Sequence, residues 1–245
     1  MRRTRMVPSW TVTMFKTGAT SETALYRLMA WLSPAYPTGA FSYSHGLEYA
    51  VETGRVATAG ALIDWVATVV EAGAGRVDAA LFAAAWRAAE QGDDGALDEA
   101  VALAAAWRSS AETALESTAQ GSAFLSVTAK AWPHPALLQL ATRHRDQVPL
   151  SAVVGAACAW HGVPLATAVA AYLQAFAANL VSAGVRLIPL GQTDGQRAVA
   201  ALEPVIARAT EAALAADLDS LGTSSPLLDW CSMKHETQYT RLFRS

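Results

Sequence analysis

Hydrophobic positions along the chain recur with the period of an α-helix rather than that of a β-strand. In residues 58–72, for example, Leu62, Trp65, Val66 and Val69 fall on one helical face. No stretch alternates between apolar and polar residues over enough positions to predict a strand. The pattern predicts an all-α fold in the form of a single multi-helix bundle domain.

Turn residues divide this pattern into segments. We predict a flexible N-terminal extension over residues 1–20, an all-α domain over residues 21–222 and a polar C-terminal tail with isolated apolar anchors over residues 223–245. The predicted helices cover about 22–32, 41–54, 58–72, 78–91, 96–107, 109–130, 136–145 and 196–216. Two further apolar helices are predicted within 150–187, and the second of them starts at Pro164.

Residues 33–50, SPAYPTGAFSYSHGLEYA, concentrate turn residues and aromatics between two helical segments. Pro37 and Gly39 predict a bent turn, because proline fixes φ and glycine admits backbone conformations closed to other residues. Four side chains with binding chemistry accompany this turn, namely Tyr36, Tyr43, His45 and Glu48. The pattern fits either a tight connection with core aromatics or a surface that binds a partner.

Two further polar patterns have structural interpretations. In PLGQTDGQR, residues 189–197, Gly191 and Gly195 are expected to permit a tight turn, and Asp194 to cap a helix that begins at Gln196. Arg186 before this loop is expected to bind loop carbonyls or a carboxylate.

At the start of the predicted helix 109–130, over residues 108–116, Arg108, Glu112 and Glu116 recur at i, i+4 and i+8. This spacing predicts a polar stripe that faces solvent or a partner. Gly121 and Ser122 predict a notch of small residues where another helix packs closely.

The composition indicates a protein that binds other proteins. Hydrophobic residues make up 53% and charged residues 16%, which is more apolar than a single soluble bundle hides easily. A formal net charge of −3 argues against a nucleic-acid partner. Two distant cysteines fit a reducing cytoplasm, and we see neither a secretory signal nor an apolar run long enough to cross a membrane.

The sequence lacks the common catalytic motifs. It contains no GxxxxGK[ST], GxSxG, HExxH or paired CxxC pattern, so we predict a protein without catalytic residues, cofactor or bound metal. An alternative remains, because Cys231 and His235 stand at i, i+4 and His45 is a third candidate ligand. On that alternative the chain would be an independent metal-binding or catalytic protein, although two ligands are too few for a closed site.

Three segments together resemble the UreF family of urease accessory proteins: SPAYPTGAFSYSHGLE, AGVRLIPLGQTDGQRAVAAL and MKHETQYTRLFRS. The resemblance covers about residues 22–245. It implies an all-α cytoplasmic maturation chaperone rather than an enzyme. It also implies a homodimer that binds the accessory protein UreD, also called UreH, and recruits the GTPase UreG, which carries nickel to apo-urease. On this interpretation the chain is an adaptor that could also modulate GTP hydrolysis or line a passage for nickel.

Residues 233–245 are too polar to fold alone, so we expect them to become ordered when UreD/UreH binds. The expected contact is with residues 34–48, and the completed surface would then recruit the GTPase. The tail residues assigned to this contact are Tyr239, Arg241, Leu242, Phe243 and Arg244.

Overall fold

The computed structural model describes residues 20–145 and 147–245, so the expected extension lies almost entirely outside the described residues. Within these ranges there are twelve α-helices and no strand, which confirms the all-α bundle. The helices are α1 (Glu22–Trp31), α2 (Leu47–Glu52), α3 (Ala59–Ala72), α4 (Ala74–Gln91), α5 (Asp94–Ala106), α6 (Ala111–Ala131), α7 (Pro135–His144), α8 (Leu150–Trp160), α9 (Leu165–Leu187), α10 (Gln192–Ala201), α11 (Glu203–Leu214) and α12 (Pro226–His235).

Helices α4 and α8 form the centre of the bundle, surrounded by α3, α5, α6, α9 and α11. Their sequences are rich in alanine and each contains one glycine, and small side chains let the two backbones approach closely. A Cβ at Gly155 would lie 2.4 Å from the carbonyl oxygen of Phe82. The alanine bias of the sequence therefore serves close packing as well as helix formation.

Helix α9 is long and apolar enough to span a membrane by length and composition, contrary to our expectation that no segment would be. Half of its apolar window is buried inside the bundle, where α9 contacts α3, α4, α10 and α11. This burial is typical of the core helix of a water-exposed bundle.

The polar loop before α10 differs from the prediction. The predicted helix 196–216 is two helices that meet at Leu202, and the first begins four residues earlier than expected. Asp194 thus lies in the first turn, where its carboxylate accepts the N–H of Gly191 at 3.3 Å. Gly191 has φ −79°, and Gly195 is helical and packs on Val185, so neither uses the left-handed region.

The stretch that links α1 to α2 is less helical than its pattern suggested. A single 3-10 turn, Ala40–Ser42, follows Gly39, and α2 begins only at Leu47. Gly39 has φ +80°, as expected of the turn glycine, and His45 and Gly46 are also left-handed at 53° and 73°. These two residues redirect the chain, which is why the helix does not start at Phe41.

Gly121 of α6 confirms the predicted notch, although its neighbour is the chain entering α8 rather than a helix. A Cβ at this position would lie 1.8 Å from the carbonyl oxygen of Val148.

We therefore expect Gly121→Ala to lower the free energy of unfolding by about 3 kcal/mol, because backbone atoms must shift. Gly60→Ala in α3 is the matched control, since no atom lies nearer than 4.0 Å, and should change stability by less than about 1 kcal/mol. Urea unfolding followed by circular dichroism measures both, and equal values would contradict the packing role.

Candidate functional site: an acidic socket occupied by residues 241–245

Three glutamates from two helices line what we call the acidic socket: Glu48 of α2 and Glu112 and Glu116 of α6. Glu112 and Glu116 share a helical face because they are four residues apart. The side chains of all three are at most 15% exposed. The expectation of a solvated stripe is therefore wrong, because α12 and residues 241–245, here called the docked segment, cover these carboxylates.

Glu48 binds two consecutive backbone amides of the docked segment. Its Oε1 accepts the N–H of Leu242 at 2.6 Å, and its Oε2 accepts the N–H of Phe243 at 2.9 Å. Such charge-assisted hydrogen bonds are about twice as strong as neutral ones. One buried side chain thus fixes the path of the docked segment.

His235, at the end of α12, is fully buried between two carboxylates. Its Nδ1 lies 2.6 Å from Glu112 Oε2 and its Nε2 lies 3.1 Å from Glu48 Oε2. His235 therefore bridges the two carboxyl groups through both of its ring nitrogens. The other oxygen of Glu112 accepts from the guanidinium of Arg241 at 2.5 Å.

Glu116 completes the socket on the next turn of α6. Its Oε1 lies 3.0 Å from His45 Nε2 and accepts from Gln120 at 2.9 Å, and its Oε2 accepts from the Ser245 hydroxyl at 2.7 Å. Ser245 is fully buried, and its carbonyl oxygen accepts from both the backbone N–H and the hydroxyl of Ser44.

Burial lowers the pKa of His45, but the adjacent Glu116 carboxylate and a smaller contribution from Asp78 outweigh it, so that the net shift of the pKa is upward. Arg108 opposes this rise. His45 therefore stabilises the fold most when it is protonated, which is below its ordinary value of about 6.5, and this contribution is lost as the pH rises through the raised pKa.

An arginine joins the docked segment to the turn before α2. The guanidinium of Arg186 lies 3.5 Å from the centre of the Phe41 ring and 4.4 Å from that of Phe243, and donates to the carbonyl oxygen of Phe41 at 2.9 Å. Arg244 N–H donates to the carbonyl oxygen of Ser42 at 2.8 Å. Arg186 thus binds a loop carbonyl, as predicted, although the loop is the one before α2.

Helix α12 lies tightly against the start of α2 and the start of α6. A Cβ at Gly46 would be 2.6 Å from the backbone nitrogen of Ser232. Ser232 is hydrogen-bonded to Ser110, the N-cap of α6, at 2.7 Å, and Glu236 accepts the N–H of Ala111 at 2.7 Å. The hydrophobic pattern does not predict this helix in the tail, because its apolar residues do not repeat on one face.

The other residues expected to meet the tail have different partners. Tyr36 packs against Phe124 and Trp132 and is hydrogen-bonded to Thr128 at 2.7 Å, so it belongs to the core. Tyr43 is buried as well. Of the tail side chains, Phe243 is buried and Arg241 is ion-paired, as expected of an anchor and a donor. The remaining three are exposed: Tyr239, Leu242 and Arg244.

The docked segment lies against the 34–48 stretch, which is the contact that we expected, and the dependence of this contact on UreD/UreH stays a prediction. The residues that sequence reasoning missed are the carboxylates of α6 and Ser245. The i, i+4 spacing of Glu112 and Glu116 was visible, but nothing in the sequence indicated that they are covered. His235 was considered only as a metal ligand.

The socket's two histidines bear on the metal-binding alternative. Both ring nitrogens of His235 face carboxylates, and Cys231 is buried with its pKa raised mainly by burial. Among residues 20–145 and 147–245 no group of three or more histidine, cysteine, aspartate or glutamate side chains is arranged to hold a metal ion. In this arrangement the Cys231–His235 pair is part of the packing of α12.

Beside the socket lies a cavity of about 270 Å³ with aromatic walls. Its polar floor includes Arg108, which makes a two-pronged ion pair with Asp78 at 2.8 and 3.2 Å, while Ser151 donates to Asp78 at 3.0 Å. Burial lowers the pKa of Arg108, but the Asp78 charge more than offsets it. Arg108 is thus a buried structural charge rather than part of a solvated stripe.

The fold and the site define a class of helical protein in which buried glutamates hold the C-terminal segment of the same chain in place. Its sequence contains no nucleotide-binding loop. The sequence model of the UreF family matches residues 56–203. The urease accessory protein UreF of Granulibacter bethesdensis is 56% identical over 94% of this chain and 97% of its own length. The urease accessory protein UreF of Rhodopseudomonas palustris (strain HaA2) is 50% identical over 91% of this chain and 94% of its own length. That of Methylorubrum populi is also 50% identical, over 89% of this chain and 98% of its own length. The chain belongs to the UreF family of urease accessory proteins.

The buried Arg108–Asp78 pair yields a stability prediction. Arg108→Met should lower the free energy of unfolding by about 3 to 5 kcal/mol, because it leaves the Asp78 carboxylate buried without its counter-charge. The control is Arg143→Met, which removes a more exposed pair with Asp94 and Asp98 and should cost less than about 1 kcal/mol. Chemical denaturation of both variants at one pH measures the difference. A loss from Arg108→Met no larger than that of the control would contradict the structural role.

Proposed function

We propose that the chain is a non-catalytic adaptor in the maturation of nickel urease. In this proposal it works in the cytoplasm as a homodimer, binds UreD/UreH and recruits the GTPase UreG, which delivers nickel to apo-urease. Membership of the family of urease accessory proteins supports the urease role. The partner-binding role rests on one observation, an exposed apolar surface beside the acidic socket.

This surface, here called the seam, consists of Phe41, Tyr239 and Leu242. Phe41 is 60% exposed and contacts Arg186, which also contacts Phe243. Leu242, next to Phe243 in the chain, is 63% exposed, and Tyr239, three residues before it, is fully exposed. Exposed aromatic and aliphatic side chains held on an ordered backbone lose little conformational entropy on binding. The socket therefore supports recruitment by holding the seam in one arrangement.

We assign the seam to the GTPase rather than to UreD/UreH. The docked segment lies in the socket and leaves the seam exposed for a further partner. A preformed apolar surface rimmed by Arg241 and Arg244 suits a partner that binds after the adaptor complex has formed.

The seam predicts a selective binding defect. Phe41→Ser combined with Leu242→Ser should weaken GTPase recruitment at least about tenfold, as for an interface hot spot, while UreD/UreH binding and helical content stay unchanged. A pull-down with UreD/UreH and the GTPase present together, with circular dichroism of the free variant, measures this.

Leu138→Ser is the matched control, because Leu138 is equally exposed but lies on α7, which follows the far end of α6. It should retain both partners. Loss of UreD/UreH from the seam variant would reassign the surface to that protein, and wild-type retention of the GTPase would contradict the proposal.

We further propose that the exposed apolar face of α1, with Leu25, Tyr26 and Met29, forms the homodimer interface. A stable interface needs about 1,000 Å² of buried surface in total, so neighbouring elements must contribute. Met29→Asp combined with Tyr26→Asp should convert the dimer to a monomer, because charges would be buried without partners. Light scattering at micromolar concentration gives the mass, with Leu138→Asp as control. A wild-type monomer, or a dimer that survives both substitutions, would contradict this assignment.

A further inference from the structure

The apolar residues of α12 are divided between two opposite sides of the helix, so that no single apolar face appears in its sequence. The inner side is buried and includes Leu228 and Cys231. The outer side carries Leu227, Trp230 and Met233, here called the outer stripe, which recur every three residues and so lie in one row.

The outer stripe is open to solvent at both ends. Leu227 is 48% exposed and Met233 is 47% exposed, and Trp230 between them is partly buried. The Trp230 ring is held from one side by Tyr49 of α2, in a T-shaped contact with 5.4 Å between ring centres. A helix on the surface of a bundle normally keeps its outer side polar, so an apolar row on an ordered helix indicates a partner that covers it.

Two cations lie over the outer stripe. The guanidinium carbon of Arg55 is 5.2 Å from the centre of the Trp230 ring, and the ammonium nitrogen of Lys234 is 6.0 Å from it. A cation above an aromatic ring keeps its N–H groups available for a carboxylate. Of the carboxylates that the structure describes, none lies within ion-pairing distance of either cation.

The acidic residues of this part of the tail are engaged with α6 and the residues before it. Asp229 is hydrogen-bonded to Ser109, and Glu236 accepts the N–H of Ala111 at 2.7 Å. The outer side of α12 therefore combines apolar surface with positive charge, in a chain whose formal net charge is −3.

We propose that the outer stripe, with Arg55 and Lys234, binds an acidic amphipathic helix of a partner protein. The row from Leu227 to Met233 is about 9 Å long, and a second helix packs on such a row with apolar residues spaced by three and four. Carboxylates beside the apolar residues of that helix would meet the two cations. This surface is separate from the seam, and its assignment does not rest on the proposed function.

Charge argues against three other occupants. Residues 1–19 of this chain contain three arginines, one lysine and no acidic residue, so they would be repelled. A second copy related by a two-fold axis would bring Arg55 and Lys234 against their own counterparts. An anionic membrane is attracted by clusters of about four to eight basic residues, and this surface has two.

A titration of the full chain with two designed peptides tests the proposal. The first peptide is a capped helix of about 18 residues with leucines spaced by three and four and glutamates beside them, and the second replaces every glutamate by lysine. The methyl group of Met233, observed by carbon-13 NMR, reports binding, and that of Met29, exposed on α1, is the internal reference. The glutamate peptide should shift the Met233 signal alone and bind at least about tenfold more tightly than the lysine peptide.

Reversing the two charges should reverse this preference. In Arg55→Glu combined with Lys234→Glu, the lysine peptide should bind at least about tenfold more tightly than the glutamate peptide. Lys130→Glu combined with Arg145→Glu is the matched control, because it changes the net charge equally at exposed positions at the ends of α6 and α7. This control should keep the wild-type preference.

The apolar part of the contact is tested by Leu227→Ser, which should weaken binding of the glutamate peptide about fivefold, whereas Leu138→Ser on α7 should not. An unchanged Met233 signal up to about 1 mM glutamate peptide, equal affinity for the two peptides, or an unchanged preference after charge reversal would overturn the proposal.

Two further measurements distinguish the other occupants. The wild-type chain should not sediment with phosphatidylcholine vesicles that contain phosphatidylserine, and the charge-reversal variant should have the wild-type mass in light scattering. Sedimentation that the charge-reversal variant loses would reassign the outer stripe to a membrane, and a lower mass of this variant would reassign it to a second copy. Either result would overturn the proposal.

Discussion

The arrangement of this end of the molecule depends on one constraint: a buried carboxylate must have all of its charge and its hydrogen bonds satisfied. Glu48 meets that requirement with the His235 ring and two backbone amides. These partners come from α12 and from the docked segment, so the hydrogen bonds of Glu48 are complete only when both elements are in place. The left-handed turn at His45 and Gly46 follows from the same constraint, since it brings α2 and Glu48 under α12.

The two parts of the molecule are held by different physical means. The central helices α4 and α8 are close because their side chains are small, and their packing contains few charges. The socket instead uses hydrogen bonds and ion pairs of buried carboxylates, of which the His45–Glu116 pair depends on pH. We therefore expect the bundle to be insensitive to conditions that alter the docked segment.

The helical fold could be predicted from the sequence, because that prediction needs only the spacing of the hydrophobic residues and the amino-acid composition. Helix α3, for example, repeats its apolar residues on one face, and Gly39 and Gly121 predicted a left-handed turn and a close approach. Helix α12 was missed because its short sequence has no apolar face, and it is stabilised by contacts with α2 and α6 instead. The start of α10 was misplaced because Asp194 suits both the N-cap position and the first turn.

The site was only partly predictable, because its chemistry arises from residues nearly two hundred positions apart. The sequence pointed to Glu48 and to the residues 241–244 separately, and the family resemblance joined them. It could not show that Glu112 and Glu116 face inward, since the same spacing on an exposed helix is a common solvated pattern. Burial changes the energetic role of these carboxylates. On the surface they would repel one another weakly, whereas in the socket they require cations and hydrogen-bond donors. His45 and His235 are ordinary in the sequence, yet in the fold each lies against buried carboxylates, so the proposed seam depends on residues that do not belong to it.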